Sequence, residues 1–186
     1  ELVHANFTEM KRFLRLHQAI PVDGILADLG VSSWQFDTAE RGFSFRFDGP
    51  LDMRMNRHEN KTAANVVNEY TAEGLQQMFS QYGEVRNAKT LALALVDARN
   101  LKPFETISDL AQVVEANRIG EEHKYFAQVF QAIRIEVNGE LEALKGFLQQ
   151  SVEVLKKGGR LAVITFHSLE DRLVKNFMKH GSFDDE

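Results

Sequence analysis

The chain contains no cysteine in 186 residues. That single absence removes disulfides, thiolate nucleophiles and thiolate zinc sites together, and it fits a reducing compartment. Proline is scarce, with three in the chain; Pro21, Pro50 and Pro103 each mark a break in pattern. No apolar run approaches the roughly 20 residues needed to span a bilayer, and no signal-peptide pattern opens the sequence. The expectation is a soluble cytoplasmic protein with no membrane partner. The formal net charge of −5 argues against a protein that coats nucleic acid, though not against one with a local basic patch. His4, His17, His58, His123, His167 and His180 show no ligand spacing, so no metal site is expected. Internal repeats and low-complexity tracts are lacking as well.

What the chain does have is an apolar run that stops at an acid: Val22-Asp-Gly-Ile-Leu-Ala-Asp28-Leu-Gly-Val-Ser-Ser-Trp-Gln35. Val22, Ile25, Leu26 and Ala27 read as a strand of a parallel sheet buried on both faces. Asp28 then lies at the carboxyl end, followed by the small residues Gly30, Ser32 and Ser33. Ligands bind at that edge in open α/β sheets. A strand, a serine-rich turn and a solvated acid explain the same letters. Four arginines (Arg41, Arg46, Arg54, Arg57) and three phenylalanines (Phe43, Phe45, Phe47) follow. Interleaved in this way they can grip phosphates and stack on bases, or form a strand with Phe inward and Arg in water.

Before this region, Leu2–Phe7 reads as a short strand and Thr8 as the cap of a helix reaching about His17. Ser32 to Arg57 has no sustained period and reads as a long functional loop. Amphipathic helices occupy about Thr62 to Asn117, with starts at Thr71 and Ser108. Phe130, Ile133 and Val137 mark a helix with a break at Asn138-Gly139. Leu141, Leu144, Leu148, Val152 and Leu155 mark another, with Lys156-Lys157 in its last turn and Gly158-Gly159 as its cap. Arg160 to Phe166 is the following strand. The expected fold is α/β, with residues 1–57 and 125–186 forming a core and 58–124 an inserted helical subdomain.

Five further strings join the first: Asp37-Thr-Ala-Glu-Arg-Gly-Phe-Ser-Phe45, Asp48-Gly-Pro-Leu-Asp-Met-Arg-Met55, Tyr82-Gly-Glu-Val-Arg-Asn-Ala-Lys89, Phe130-Gln-Ala-Ile-Arg-Ile-Glu-Val-Asn138 and Phe166-His-Ser-Leu-Glu-Asp-Arg172. In this order they resemble the MraW/RsmH family over nearly the whole chain. That resemblance implies a class I, Rossmann-like methyltransferase with a mostly parallel sheet. It further implies S-adenosyl-L-methionine as donor, the N4 amino group of a cytosine in 16S ribosomal RNA as acceptor, and the small ribosomal subunit as partner. Carried over by position, Phe7, Asp28 and Gln35 are implied cofactor contacts. Asp28 is also the implied catalytic group, either accepting from the amino protons or holding the cationic donor. Ser32, Ser33, Arg54, Tyr82, Lys89 and His167 are implied substrate contacts. The enzymatic reading places Asp28 beside a crevice faced by Tyr82 and His167.

The family's amino-terminal strand, its Gly-Gly-His loop and its ribose-binding acid are not in this sequence, and its basic carboxyl-terminal extension stops at Asp185-Glu186. A fragment with part of a cofactor site is therefore expected, binding the donor weakly by itself. An open sheet edge would favour association, a homodimer included. Two other readings stay open. One is a non-catalytic RNA- or protein-binding module that has lost the donor site. The other, a methyltransferase for a small metabolite, leaves the Arg-Phe loop unexplained.

Overall fold

The computed structural model describes residues 1–183; residues 184–186, which include Asp185-Glu186, lie outside them. The elements in chain order are α1 (Met10–Leu16), β1 (Val22–Asp28), α2 (Ser33–Asp37), α3 (Ala63–Glu69), α4 (Ala72–Gly83), α5 (Ala88–Leu101), α6 (Ile107–Ala116), α7 (Glu122–Asn138), α8 (Glu140–Val154), β2 (Leu155–Ile164) and α9 (Ser168–His180). No helix among the described residues is long and apolar enough to cross a membrane. The chain divides into two compact units. One comprises Glu1–Gly30 and the chain from Gly139 onward; the other is Val31–Asn138.

The first unit is the α/β part. Strands β1 and β2 pair in parallel, in register from Gly24 opposite Arg160 to Asp28 opposite Ile164. Ile25, Ala27, Leu161 and Val163 turn one face inward against Leu144, Phe147, Leu148 and Val174. Burying each of those helical side chains is worth about 1.5–3 kcal/mol, which is what holds α8 and α9 to the sheet. The other face is open among the described residues, with Leu26 72% and Ile164 47% exposed. The expected burial of β1 on both faces is therefore not met: α8 and α9 pack on one side only.

Two local expectations in this unit also fail. Leu2–Phe7 forms no strand, because Asn6 caps a short 3₁₀ turn at Phe7–Glu9 by accepting the Thr8 N–H. Lys156 to Gly159 are not a helix end. The helix stops at Val154, and these residues open β2. The register shifts between Val22 and Gly24, and Gly158 supplies a left-handed φ of 83° at that irregularity.

The second unit is helical, and capping fixes where its helices begin. Thr62 with Asn65 and Thr106 with Asp109 form reciprocal capping boxes, and Thr71 caps α4 alone. The expected start at Ser108 is thus displaced to Thr106, whose hydroxyl accepts the Asp109 N–H. Helices α4 and α7 approach closely at Gly83. A Cβ there would lie 2.5 Å from the Gln128 carbonyl oxygen and 3.1 Å from the Ala132 Cβ. Leu75, Phe79, Leu91, Leu95, Leu110 and Ile133 fill the centre of this core.

The unit starts at Val31 rather than at 58 and runs to Asn138 rather than 124. The stretch expected as a long loop explains the first difference. It contains α2, and it drives Phe43, Leu51 and Met53 into the helical core. It is also laced to the start of α6, since the Leu51 N–H donates to the Glu105 carbonyl and the Ile107 N–H to that of Gly49, each at 2.9 Å. Gly42, at φ 69°, turns the chain where a Cβ would come within 2.5 Å of the Pro50 oxygen. The second difference reflects α7, whose Tyr125, Phe126, Val129 and Phe130 belong to the same core.

Candidate functional site

The carboxyl edge of the β1–β2 pair carries the largest group of expected site residues in the α/β unit. Alternation along β1 decides what faces where: Ala27 and Leu29 turn into the core, so Asp28 is directed outward and is exposed. Its neighbour across the ladder is Ile164, and the Leu29 N–H extends the pairing by donating to the Ile164 carbonyl at 3.2 Å. Gly30 then turns the chain away at φ 81°, beside the Phe166 ring. Phe166 is 65% exposed.

His167 follows immediately and caps α9. Its Nδ1 accepts the Glu170 N–H at 3.4 Å, while a Glu170 carboxylate oxygen accepts the Phe166 N–H at 2.9 Å. The imidazole thus plays the capping hydroxyl's part, while Glu170 reaches back one residue beyond the cap. Accepting at Nδ1 leaves the neutral ring's proton on Nε2. That nitrogen is buried, 3.3 Å from the other Glu170 oxygen, yet not aligned for a hydrogen bond. Ligand atoms of Glu140, His167 and Glu170 lie within 4.8 Å of one another. Although no His spacing suggested it, the fold has gathered metal-capable groups here. Nδ1 is spent on the Glu170 N–H, and with the Phe166–Glu170 bond it ties the start of α9 to the backbone at Phe166. Phe7 belongs to the same unit, half-exposed, and meets Phe147 edge-on at 5.3 Å.

The remaining expected residues fall in the helical unit. Ser32 and Gln35 cap α2 together. The Ser32 hydroxyl accepts the Gln35 N–H at 3.3 Å, and the Gln35 side-chain oxygen accepts the Ser32 N–H at 2.9 Å. Gln35 thus keeps its amide N–H groups for other work. Ser33 is exposed on the first turn of α2. Tyr82 is half-buried at the end of α4, with its carbonyl accepting from Gln131 at 2.9 Å. Lys89 is exposed at the start of α5.

Arg54 is committed to structure. Its fork grips Asp52 at 2.7 and 2.9 Å, and its remaining nitrogen donates to the carbonyls of Arg57 and Glu59 at 3.1 and 2.7 Å. Burial pushes Asp52 up, but hydrogen bonds from Arg54 outweigh it and hold the carboxyl below its usual value. The same bond raises Arg54. The interleaved strand of Phe and Arg does not form. Phe43 is buried, Phe45 packs on Phe126 and Phe130, Phe47 is partly exposed, and Arg41 is buried.

Sequence reasoning missed Glu140 and the part Glu170 plays beside His167. The three-residue spacing from His167 to Glu170 was a readable signal, because it is capping-box spacing. Glu140, 27 positions earlier, had none.

A family model described as "MraW methylase family" matches residues 1–186. The chain is similar to proteins named "Ribosomal RNA small subunit methyltransferase H" in several bacteria. It is 59% identical to that of Cytophaga hutchinsonii, over 98% of this chain and 61% of the relative. For Flavobacterium psychrophilum the identity is 54%, over 100% and 64%; for Bacteroides thetaiotaomicron it is 55%, over 97% and 60%. The chain thus spans about three-fifths of the length of these curated relatives.

Proposed function

Because the chain belongs to the MraW methylase family, we propose that it is part of an S-adenosylmethionine-dependent methyltransferase acting on the N4 amino group of a cytosine in small-subunit ribosomal RNA. In this reading the two-part α/β unit is the methyltransferase core and the helical unit its insertion. The protein works in the cytoplasm on the ribosomal subunit, and the strand edge left open among the described residues serves self-association.

The observation that carries the proposal is the outward carboxylate of Asp28 at the shared carboxyl edge of two adjacent parallel strands. That is where open α/β sheets bind ligands. The donor, when bound, supplies an electrophilic methyl group for in-line displacement. This chain supplies groups suited to such a donor: a half-exposed aromatic ring at Phe7, the open carboxylate of Asp28 and the uncommitted amide N–H of Gln35. The cytosine amino group is a poor nucleophile because its lone pair is delocalised into the ring. Asp28 accepts a hydrogen bond from it, favouring the geometry in which that lone pair is directed outward. Ser33, Tyr82 and Lys89 are assigned to the RNA side, and Ser32, Arg54 and His167 act there by shaping their segments.

The test is transfer of labelled methyl groups to small ribosomal subunits lacking the modification, using the protein at the length of its relatives. Nucleoside analysis of the digested RNA should show N4-methylcytidine, and Asp28→Asn should lower kcat at least tenfold. Label in a small molecule with none in RNA would refute the substrate, and an unchanged kcat in Asp28→Asn would refute the role of the carboxylate.

A further inference from the structure

The first segment of the helical unit carries an arrangement that the methyl-transfer site does not use. Trp34 is the only tryptophan in the chain, and it is 66% exposed. Its backbone is held on both sides, by the Ser32–Gln35 capping box and by the Thr38 hydroxyl donating to its carbonyl at 2.6 Å. Beneath the indole lies the guanidinium of Arg41, 5.7 Å from the ring centroid and an equal distance from the ring of Phe43. Phe43 is buried, and Arg41 is only 7% exposed.

Arg41 is anchored by donating to the carbonyls of Arg54 and Met55 at 2.7 and 3.1 Å, while its Nε has no partner. Phe43, Arg41 and Trp34 therefore make a layered pile with a cation in its middle and most of the indole open. Arg41, Arg54 and Arg57 all lie close enough to act on Asp52 or on one another, and Arg54 already grips that carboxylate. Arg57 donates to a carbonyl, that of Glu40, at 3.4 Å. Burial and the two neighbouring arginines accordingly press the Arg41 guanidinium below its usual value, against the pull of Asp52.

We propose that Trp34 is a stacking platform for an unpaired base of the RNA substrate, with Arg57 receiving an adjoining phosphate. A rigid, exposed aromatic backed by a cation, with an exposed arginine close by, is the chemistry that holds single-stranded nucleic acid. This inference rests on the RNA reading given above and adds a subsite to it.

The single tryptophan makes the test direct. Fluorescence of the purified chain is followed while a single-stranded octaribonucleotide is added, alongside an abasic octamer of equal charge and a duplex. The single strand should quench saturably and in a salt-dependent manner; the abasic strand and the duplex should not quench. Trp34→Ala should weaken binding about 5- to 150-fold in anisotropy with a labelled octamer, and Trp34→Phe should restore most of it. Arg57→Gln should reduce the salt slope by about one phosphate contact. Absent binding, equal quenching by the abasic strand, or unchanged affinity in Trp34→Ala each overturns the inference. So does quenching by an unrelated acidic peptide instead of RNA. If methyl transfer succeeds and Trp34→Ala binds normally, the subsite fails while the function stands. Stacking without methyl transfer at full length gives the converse.

Discussion

Replacing Asn138 with alanine should cost about 2–4 kcal/mol, although the side chain is only partly buried. Asn138 is the last residue of α7, and its amide reaches back more than 80 positions to the arginine-bearing segment. Its oxygen accepts the Met55 N–H at 2.7 Å, and its nitrogen donates to the Met53 carbonyl at 2.8 Å and to that of Arg134 at 2.9 Å. Truncation leaves the Met55 N–H and the Met53 carbonyl without this partner. A hydrogen bond is worth about 1 kcal/mol net, and a group left buried and unpaired costs about 1–3 kcal/mol. Two such groups would give about 2–6 kcal/mol if fully buried. Partial exposure of Asn138 and Met55 keeps the loss in the lower part of that range, a large share of the roughly 5–15 kcal/mol that holds a domain together.

The same bonds hold Met53 at a left-handed φ of 60°, uncommon for a residue other than glycine. Met53 in turn donates to the Arg41 carbonyl at 3.0 Å, so the effect should spread to the segment beneath Trp34. Urea unfolding measures the stability, and hydrogen exchange at the Met55 amide measures the local effect. Asn138→Asp keeps an acceptor for Met55 but loses the donor to Met53, and should fall between alanine and wild type. A loss under about 0.5 kcal/mol, the scale of an ordinary surface change, together with a still-protected Met55 amide, would refute the argument.

Gly42→Ala should destabilise by about 2–4 kcal/mol in thermal or urea unfolding, since a left-handed φ and backbone atoms at 2.5 and 2.9 Å leave no place for a Cβ; a neutral variant would contradict this. Burial, then the hydrogen bond to Glu136 at 2.6 Å, holds the Tyr70 hydroxyl above the tyrosine range. The native state then keeps a proton that the unfolded chain sheds near pH 10, so this contribution is complete below about pH 10 and is lost as pH rises further. Tyr70→Phe should therefore have a shallower loss of stability as pH rises above about 10, and an unaltered slope would count against it. Asp109 is held below the carboxylate range, first by Lys102 and then by the N–H groups of Glu105 and Thr106. A depressed acid stabilises above its unfolded pKa near 4 and loses that effect as pH falls. Asp109→Asn should cost about 1 kcal/mol at pH 7, and its gap to wild type should narrow on acidification; a constant gap would exclude the mechanism.

Much of the local structure was legible because its causes are local. The strand ending at Asp28, the cap at Thr71 and the helix through Leu144 and Leu148 follow from periodicity and hydrogen-bonding side chains within one turn. The resemblance supplied the family and the order of its motifs. Legibility failed where a distant element decided the outcome. Phe43, Phe45 and Phe47 recur at every second position in a way that fits a strand, yet Phe43 is drawn into a core built by helices more than 80 positions away. Leu26 reads as buried on any apolar count, and it is exposed because the helices of its unit pack on one face only. Lys156 to Gly159 carry a helix-ending composition, but Leu155 before them and Arg160 after them both pair with β1, so they enter β2 as the irregularity between.

The same reasoning bears on how the candidate site is to be dissected. Ser32, Gln35, Arg54 and His167 were singled out for binding, and each spends hydrogen bonds on its own backbone neighbourhood. Their removal acts on the scaffold before it acts on any ligand, so loss of activity at these positions is ambiguous between the two. Asp28, Lys89 and Trp34 differ: Asp28 and Lys89 place an exposed charge, and Trp34 an exposed ring, on a backbone fixed by other residues. Their substitution leaves the caps and the cores intact. The exposed group therefore reports on chemistry and recognition, and the capping group on the folding that positions it.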